Sequence, residues 1–149
     1  MLANVSQHVP EHVRQVLAGI VESRSEAIHV LNSFGEIEYL NRYARHLLGE
    51  HGVMAGKGTG WIALFPRSAQ LEAENALLAC LMGRDYRFIC KSRDRQRESR
   101  YWDISVRRIE NPLGTLENIL VVIREVTDIL DRPIGTAFDH HRAVHIGRA

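Results

Sequence analysis

Few residues of this chain have the types and spacing that catalysis or metal binding requires. His29 and Asp103 are candidates for an acid–base pair by residue type alone. His141 and His145 lie four residues apart and would share one side of a helix, but two imidazoles without a third ligand make a weak metal site. The sequence contains no nucleophile elbow, no zinc-binding HExxH and no paired-carboxylate motif. We therefore expect neither an enzyme nor a metal site.

Two further segments resemble phosphate or nucleic-acid sites only superficially. In GVMAGKGTG the spacing from Gly52 to Gly56 is one residue short of a phosphate-binding loop, and Gly58 stands where a Ser or Thr is needed. In the segment 93–100 arginines alternate with Asp94 and Glu98, which is typical of a solvated face. The net charge of +1 also provides no basic field, so a nucleic-acid partner is not expected.

Length and composition indicate one soluble globular domain. The chain has 149 residues, of which 45% are hydrophobic and 25% charged. Its only cysteines are Cys80 and Cys90, too few for a disulfide framework. The polar N-terminus is not a signal peptide, and no apolar run is long enough to cross a membrane. A cytoplasmic location and no membrane partner are therefore expected.

Residues before Asp85 predict a terminal helix, a hairpin and several short helices. Strands at 27–32 and 36–41 flank turn residues, and short helices are predicted at 42–49 and 61–65. The first helix is amphipathic, with an apolar stripe formed by Val13, Val16, Leu17, Ile20 and Val21. A second amphipathic helix covers 68–82 and ends at Gly83, with an apolar side formed by Leu71, Leu77, Leu78, Leu81 and Met82.

The pattern changes to a period of two after Asp85 and predicts three more strands. Tyr86, Phe88 and Cys90 share one side of the first, and Trp102, Ile104 and Val106 share one side of the second. The run 118–126 is almost continuously apolar, which is typical of a central strand covered on both faces. Strands segregated from helices favour an α+β fold with an antiparallel sheet that the segment 42–82 covers on one face.

Three segments, in this order, resemble the PAS domain, a small sensor and interaction module of signalling proteins. AIHVLNSFGEIEYLNRYARHLLG (27–49) is similar to its opening hairpin, with Asn41 just past the second strand. Residues 87–114 look like its two long strands and their hairpin. ILVVIREVTDI (119–129) is similar to its closing strand, whose terminal Asp-Ile-Thr signature here reads Glu125-Val126-Thr127. The resemblance covers residues 23–129.

The resemblance implies a five-stranded antiparallel sheet in the order 2-1-5-4-3, with a cavity between the sheet and the intervening helices. The cysteine-containing stretch of flavin-binding PAS domains is missing, and helix 68–82 lacks the histidine that haem-binding members place there. Cys80 or Met82 could ligate haem iron in principle, but such residues more often serve packing. The sequence supports neither flavin nor haem. If the domain binds a cofactor, it is a small molecule that the sequence does not identify.

Strand alternation predicts which residues line the cavity. Tyr86, Val106 and Leu120 should share a side of the sheet with most of the candidate pocket residues, which are His29, Trp61, Phe65, Phe88, Cys90, Trp102, Ile104 and Val122. An apolar set with one or two polar groups suits a small-molecule pocket, and a core filled by side chains is the alternative. His29 could tune such a pocket near neutral pH, unless it is exposed or a satisfied structural partner. Alternation turns Asp103 away from the pocket.

We expect an N-terminal flanking helix at 1–22, a PAS domain at 23–129 and a linker at 130–149 to an effector domain beyond the sequence. The resemblance implies a sensory domain that controls this effector through ligand binding or dimerisation. A homodimer is expected through Val13, Val16, Leu17 and Ile20. The alternatives are a ligand-free module that dimerises or docks a partner, and a small cone-fold enzyme.

Overall fold

Five strands form one antiparallel sheet within residues 25–130, the part of the chain that the computed structural model describes. Their order across the sheet, β2-β1-β5-β4-β3, confirms the predicted fold. The strands are β1 (Glu26–Asn32), β2 (Ile37–Leu40), β3 (Tyr86–Arg93), β4 (Ser99–Glu110) and β5 (Leu116–Glu125). The predicted N-terminal helix and the segment 131–149 of the predicted linker lie outside the described residues.

The helices α1 (Arg42–Glu50) and α2 (Gln70–Leu81) pack on one face of the sheet, here called the inner face. Two 3-10 turns, Trp61–Leu64 and Arg67–Ala69, connect them, and a short α3 (Thr127–Leu130) follows β5. Among the described helices, none is long and apolar enough to span a membrane.

The register of β5 corrects the side assigned to Val122. Ile104 pairs with Ile123, so the inner face of β5 carries Val121 and Ile123, whereas Val122 pairs with Ser105 on the opposite, outer face. Leu120 was assigned to the wrong side for the same reason. Because β5 is apolar on both faces, its sequence has no alternation from which its orientation can be read. The two residues belong instead to an outer-face cluster completed by Ile28, Val30, Tyr39 and Ile109.

Helix α2 also packs with the side opposite to the one its leucines indicate. Its buried residues are small, namely Ala73, Ala76, Ala79 and Cys80. Leu71 is 67% exposed and Met82 72% exposed, and Leu78 and Leu81 also face outward. Small side chains let the helix backbone approach the sheet closely. Of the predicted apolar side only Leu77 packs against the core, so that side was assigned wrongly for Leu71, Leu78, Leu81 and Met82.

Substitutions at two turn glycines allow the cost of backbone strain to be distinguished from the cost of a steric contact. Gly35 and Gly114 both have left-handed backbones, with φ of +79° and +82°, but only at Gly35 would a Cβ meet an atom, Leu77 Cδ1 at 2.8 Å. We expect Gly114→Ala to lower the free energy of unfolding by about 1 kcal/mol, through strain alone. Gly35→Ala should cost about 2 kcal/mol, because Leu77 must also shift.

Urea denaturation of both variants measures this difference. A double-mutant cycle between Gly35→Ala and Leu77→Ala should show a coupling that accounts for the excess loss. Equal losses at the two glycines would contradict the assigned contact.

Candidate functional site

A cavity of about 900 Å³ lies between the inner face of the sheet, α1 and the segment that follows α1. This volume is in the range of small-molecule sites. Strands β1, β3, β4 and β5 form its floor. Most of its wall is apolar and includes Ala27, Leu47, Leu48, Val53, Leu64, Phe65, Ile104 and Ile123.

Five of the predicted pocket residues lie on the cavity wall: His29, Phe65, Cys90, Trp102 and Ile104. Trp61 and Phe88 are buried in the core instead. Trp61 makes an edge contact with Phe65 at a centroid distance of 4.7 Å, and Phe65 lies 5.9 Å from Phe88. Val122 lies on the other face of the sheet. The prediction therefore mixed wall residues with the core that supports them.

Buried His29 is hydrogen-bonded to Trp61. The Trp61 indole Nε1–H donates to His29 Nδ1 at 3.1 Å. Burial lowers the pKa of His29 from 6.5 to about 4, so the ring is neutral at physiological pH. Of the two alternatives left open by the sequence, His29 fits the satisfied structural partner and not a group that titrates near neutral pH. Strand alternation alone does not reveal how completely the ring is desolvated.

At the hairpin end of the cavity, a hydrogen-bonded chain joins α1, β3 and β4. Trp102 Nε1–H donates to Ser92 Oγ at 2.7 Å, and Ser92 Oγ lies 3.1 Å from His51 Nε2. His51 Nδ1 lies 3.0 Å from the carbonyl oxygen of Leu47. The His51 tautomer that donates from Nδ1 to this carbonyl accepts a hydrogen bond from the Ser92 hydroxyl at Nε2. This chain gives the apolar cavity one polar end.

An ion pair connects the cavity wall to the end of β5. The Arg100 guanidinium lies 5.0 Å from the centre of the Trp102 ring. It donates to both carboxylate oxygens of Glu125, at 2.7 and 3.1 Å. The Thr127 hydroxyl donates to Glu125 at 2.6 Å and accepts from the backbone N–H of Tyr101. These bonds, that of Arg100 above all, lower the pKa of Glu125.

Asp103 lies on the outer face and cannot act with His29. It is buried and accepts hydrogen bonds from Arg87 Nε at 2.7 Å and from Arg124 at 3.4 Å. His29 belongs to the inner face, where it pairs with Val121. The sheet therefore separates the two members of the candidate acid–base pair.

The cysteines have the chemistry of packing residues. Desolvation raises the pKa of Cys90 to about 12. It is also the largest cause of the raised pKa of Cys80, which is about 11. Both thiols are therefore protonated at neutral pH and poor nucleophiles. Within residues 25–130 no three His, Cys, Asp or Glu side chains are grouped as metal ligands.

Burial of His29 should make stability depend on pH between 7 and 5. The unfolded chain protonates His29 near 6.5, whereas the folded chain does so near 4, so the unfolded state binds more protons and stability falls as pH falls. We expect this histidine to account for about 2 kcal/mol of loss over that range. Urea denaturation at each pH should show a shallower dependence in His29→Gln. The control His46→Gln, at an exposed position on α1, should keep the full slope.

The other fifteen wall residues were not predicted from the sequence, among them Leu47, Leu48, His51 and Ser92. The two leucines follow the helical spacing of α1, so its apolar side could have identified them. His51 lies just beyond the helix and Ser92 in a charged stretch, and nothing in their spacing indicates that the fold brings them together.

Comparison with known proteins is consistent with this architecture. A search of curated protein sequences returned no match. Among solved structures, a PAS domain from Colwellia psychrerythraea is 13% identical, with a TM-score of 0.60 over 78% of this chain and 98% of that one. The Rhodobacter sphaeroides LOV protein is 14% identical, with a TM-score of 0.58 over 93% of this chain and 83% of that one. These likenesses show the shared fold.

A sensory box sensor histidine kinase from Vibrio cholerae is 20% identical, with a TM-score of 0.50 over 77% of this chain and 90% of that chain. The sequence model of the PAS fold matches residues 21–129, which include all five strands and every residue of the cavity wall. The chain therefore belongs to the PAS fold family.

Proposed function

We propose that this domain is a sensory module of a signalling protein, in which the inner-face cavity binds a small molecule and thereby controls an attached output domain. The observation that carries the proposal is the cavity of about 900 Å³ with apolar walls and polar groups at His29 and at the His51–Ser92 pair. A core filled by side chains would not leave this space. The alternative of a small cone-fold enzyme would need His29 and Asp103 side by side, whereas the sheet lies between them.

The contacts around Trp102 supply a physical route from the cavity to the end of the domain. Trp102 lies on the wall, Arg100 stacks on it, and Glu125 joins Arg100 to Thr127, the first residue of α3. A ligand that moves the Trp102 ring would disturb this ion pair where the chain leaves the sheet. Binding shifts the equilibrium only to the extent that the ligand prefers one arrangement over the other.

Binding of pyrene, an apolar fluorescent molecule, to the full chain tests the cavity. Leu48→Trp, on the wall, should weaken binding about ten-fold, because the indole occupies ligand space. The control Arg45→Trp places the same side chain on the exposed side of α1 and should bind like the wild type. Absence of binding, or equal binding by the two variants, would contradict the proposal. Native mass spectrometry and an absorption spectrum of the same samples will show any ligand retained from the cell.

We infer in addition that two copies associate through their N-terminal segments, as an interaction module would. In the described part of the chain, the outer-face cluster (Ile28, Val30, Tyr39, Ile109, Leu120 and Val122) receives no residue from a helix. The stripe Val13, Val16, Leu17 and Ile20 has the apolar character needed to pack there or against its equivalent in a second copy.

Sedimentation of the full chain tests this association. Val13→Glu combined with Leu17→Glu should convert a dimer to a monomer. Gln15→Glu combined with Ala18→Glu adds charge on the opposite side of the same sequence-predicted helix and should leave the dimer intact. A dimer that survives the first pair would show that the interface lies elsewhere.

A further inference from the structure

His29 offers the cavity a hydrogen-bond donor that the protein does not use. An indole N–H can only donate, so the bond from Trp61 fixes His29 Nδ1 as the acceptor. The neutral ring then carries its proton on Nε2. No described residue accepts a hydrogen bond from this Nε2–H, although His29 is only 3% exposed and lies on the cavity wall. This nitrogen keeps contact with the cavity, so either water or a bound molecule can accept from it.

The charges around the cavity restrict what that molecule can be. Lys91 and Arg93 contribute to its rim, but alternation turns Lys91 to the outer face, where its Nζ lies 5.8 Å from the centre of the Tyr101 ring. No described residue of the wall is a carboxylate. A cationic ligand would find no counter-charge there. An anion placed beside His29 would be buried among apolar side chains next to a neutral ring, which is also unfavourable.

We propose that the cavity takes a neutral, largely apolar molecule with a carbonyl oxygen, and that His29 Nε2–H donates a hydrogen bond to that oxygen. This inference rests on the proposed function, because it names the ligand class of the same cavity. His29 is then the residue that selects and orients the ligand, and the apolar wall supplies most of the buried contact.

Three probes of nearly the same shape test the ligand class with the full chain: acetylpyrene, ethylpyrene and aminoethylpyrene. We expect acetylpyrene to bind about five-fold more tightly than ethylpyrene, the usual value of one hydrogen bond, and the amine to bind most weakly. Equal affinity for the ketone and the hydrocarbon would overturn this inference and leave the binding cavity in place. Failure of all three probes to bind would overturn the proposed function and this inference together.

A variant and a direct measurement identify the donor. His29→Phe should abolish the preference for the ketone, whereas His46→Phe, at an exposed histidine, should retain it. Because His29→Phe also removes the acceptor of Trp61 and could prevent folding, ring-nitrogen NMR of histidine-labelled wild type provides an independent test. Bound acetylpyrene should shift the His29 Nε2 signal, and an unchanged signal at saturation would overturn the proposal.

Discussion

Trp61→Ala is expected to lower the free energy of unfolding by about 4 kcal/mol. Trp61 is fully buried, with an exposed fraction of 0%. Its removal leaves a void between Phe65 and the sheet and deprives His29 Nδ1 of its donor. Urea denaturation monitored by circular dichroism measures the loss, since fluorescence changes with the tryptophan content.

The matched control is the second tryptophan. Trp102 borders a cavity that already exists, so Trp102→Ala enlarges that space and should cost about 2 kcal/mol. Trp61→Phe keeps a ring in the core but removes the indole N–H, and should cost between about 1 and 2 kcal/mol. If the two tryptophan-to-alanine variants lose equal stability, Trp102 does not face an open cavity.

Asn41→Ala is expected to lower the free energy of unfolding by about 3 kcal/mol. Asn41 is fully buried and caps α1, with its side-chain oxygen accepting from the N–H groups of Ala44 at 2.9 Å and Ile28 at 3.0 Å. Its amide nitrogen donates to the carbonyl of Glu26 at 3.0 Å. The alanine variant removes the acceptor of the Ile28 and Ala44 N–H groups and weakens the connection between β1 and α1, which carries one wall of the cavity. Hydrogen exchange should accelerate most at the Ile28 and Ala44 amides.

Asn111→Ala is the control for this substitution. The Asn111 side chain also accepts from two backbone N–H groups, those of Leu113 and Thr115, but in an exposed turn where water can replace it. Its loss should cost less than about 1 kcal/mol. Comparable losses at Asn41 and Asn111 would mean that burial of the Asn41 bonds contributes little.

The sequence predicts the strands well where apolar and polar residues alternate, and less well where both faces are apolar. Alternation in β3 and β4 places Phe88 and Ile104 on one side of the sheet, and the two residues pair there. In β5 every position from Ile119 to Ile123 is apolar, and the side assigned to Val122 was therefore wrong. The buried side of helix α2 was predicted wrongly for a related reason. This helix is apolar on both sides, and its smaller residues face the sheet.

Residues whose role depends on a contact with a distant residue were harder to predict than residues whose role follows from the local sequence pattern. Asn41 attracted notice only as part of a family pattern, although an Asn directly before a helix is a usual N-cap. The pKa of His29 is lowered by burial, and its hydrogen-bond donor is Trp61, which lies far away in the sequence. Such pairings arise from the fold, so local spacing does not indicate them.

In the proposed function the two faces of the sheet have different roles, and only the inner face receives a small molecule. Methyl NMR of the full chain during titration with pyrene distinguishes the two faces. Shifts should concentrate on inner-face methyl groups, among them Leu47, Leu48, Ile104 and Ile123, and should be small at Ile28, Val30, Leu120 and Val122 on the outer face. Shifts confined to the outer-face methyl groups, or none at saturating pyrene, would contradict the account.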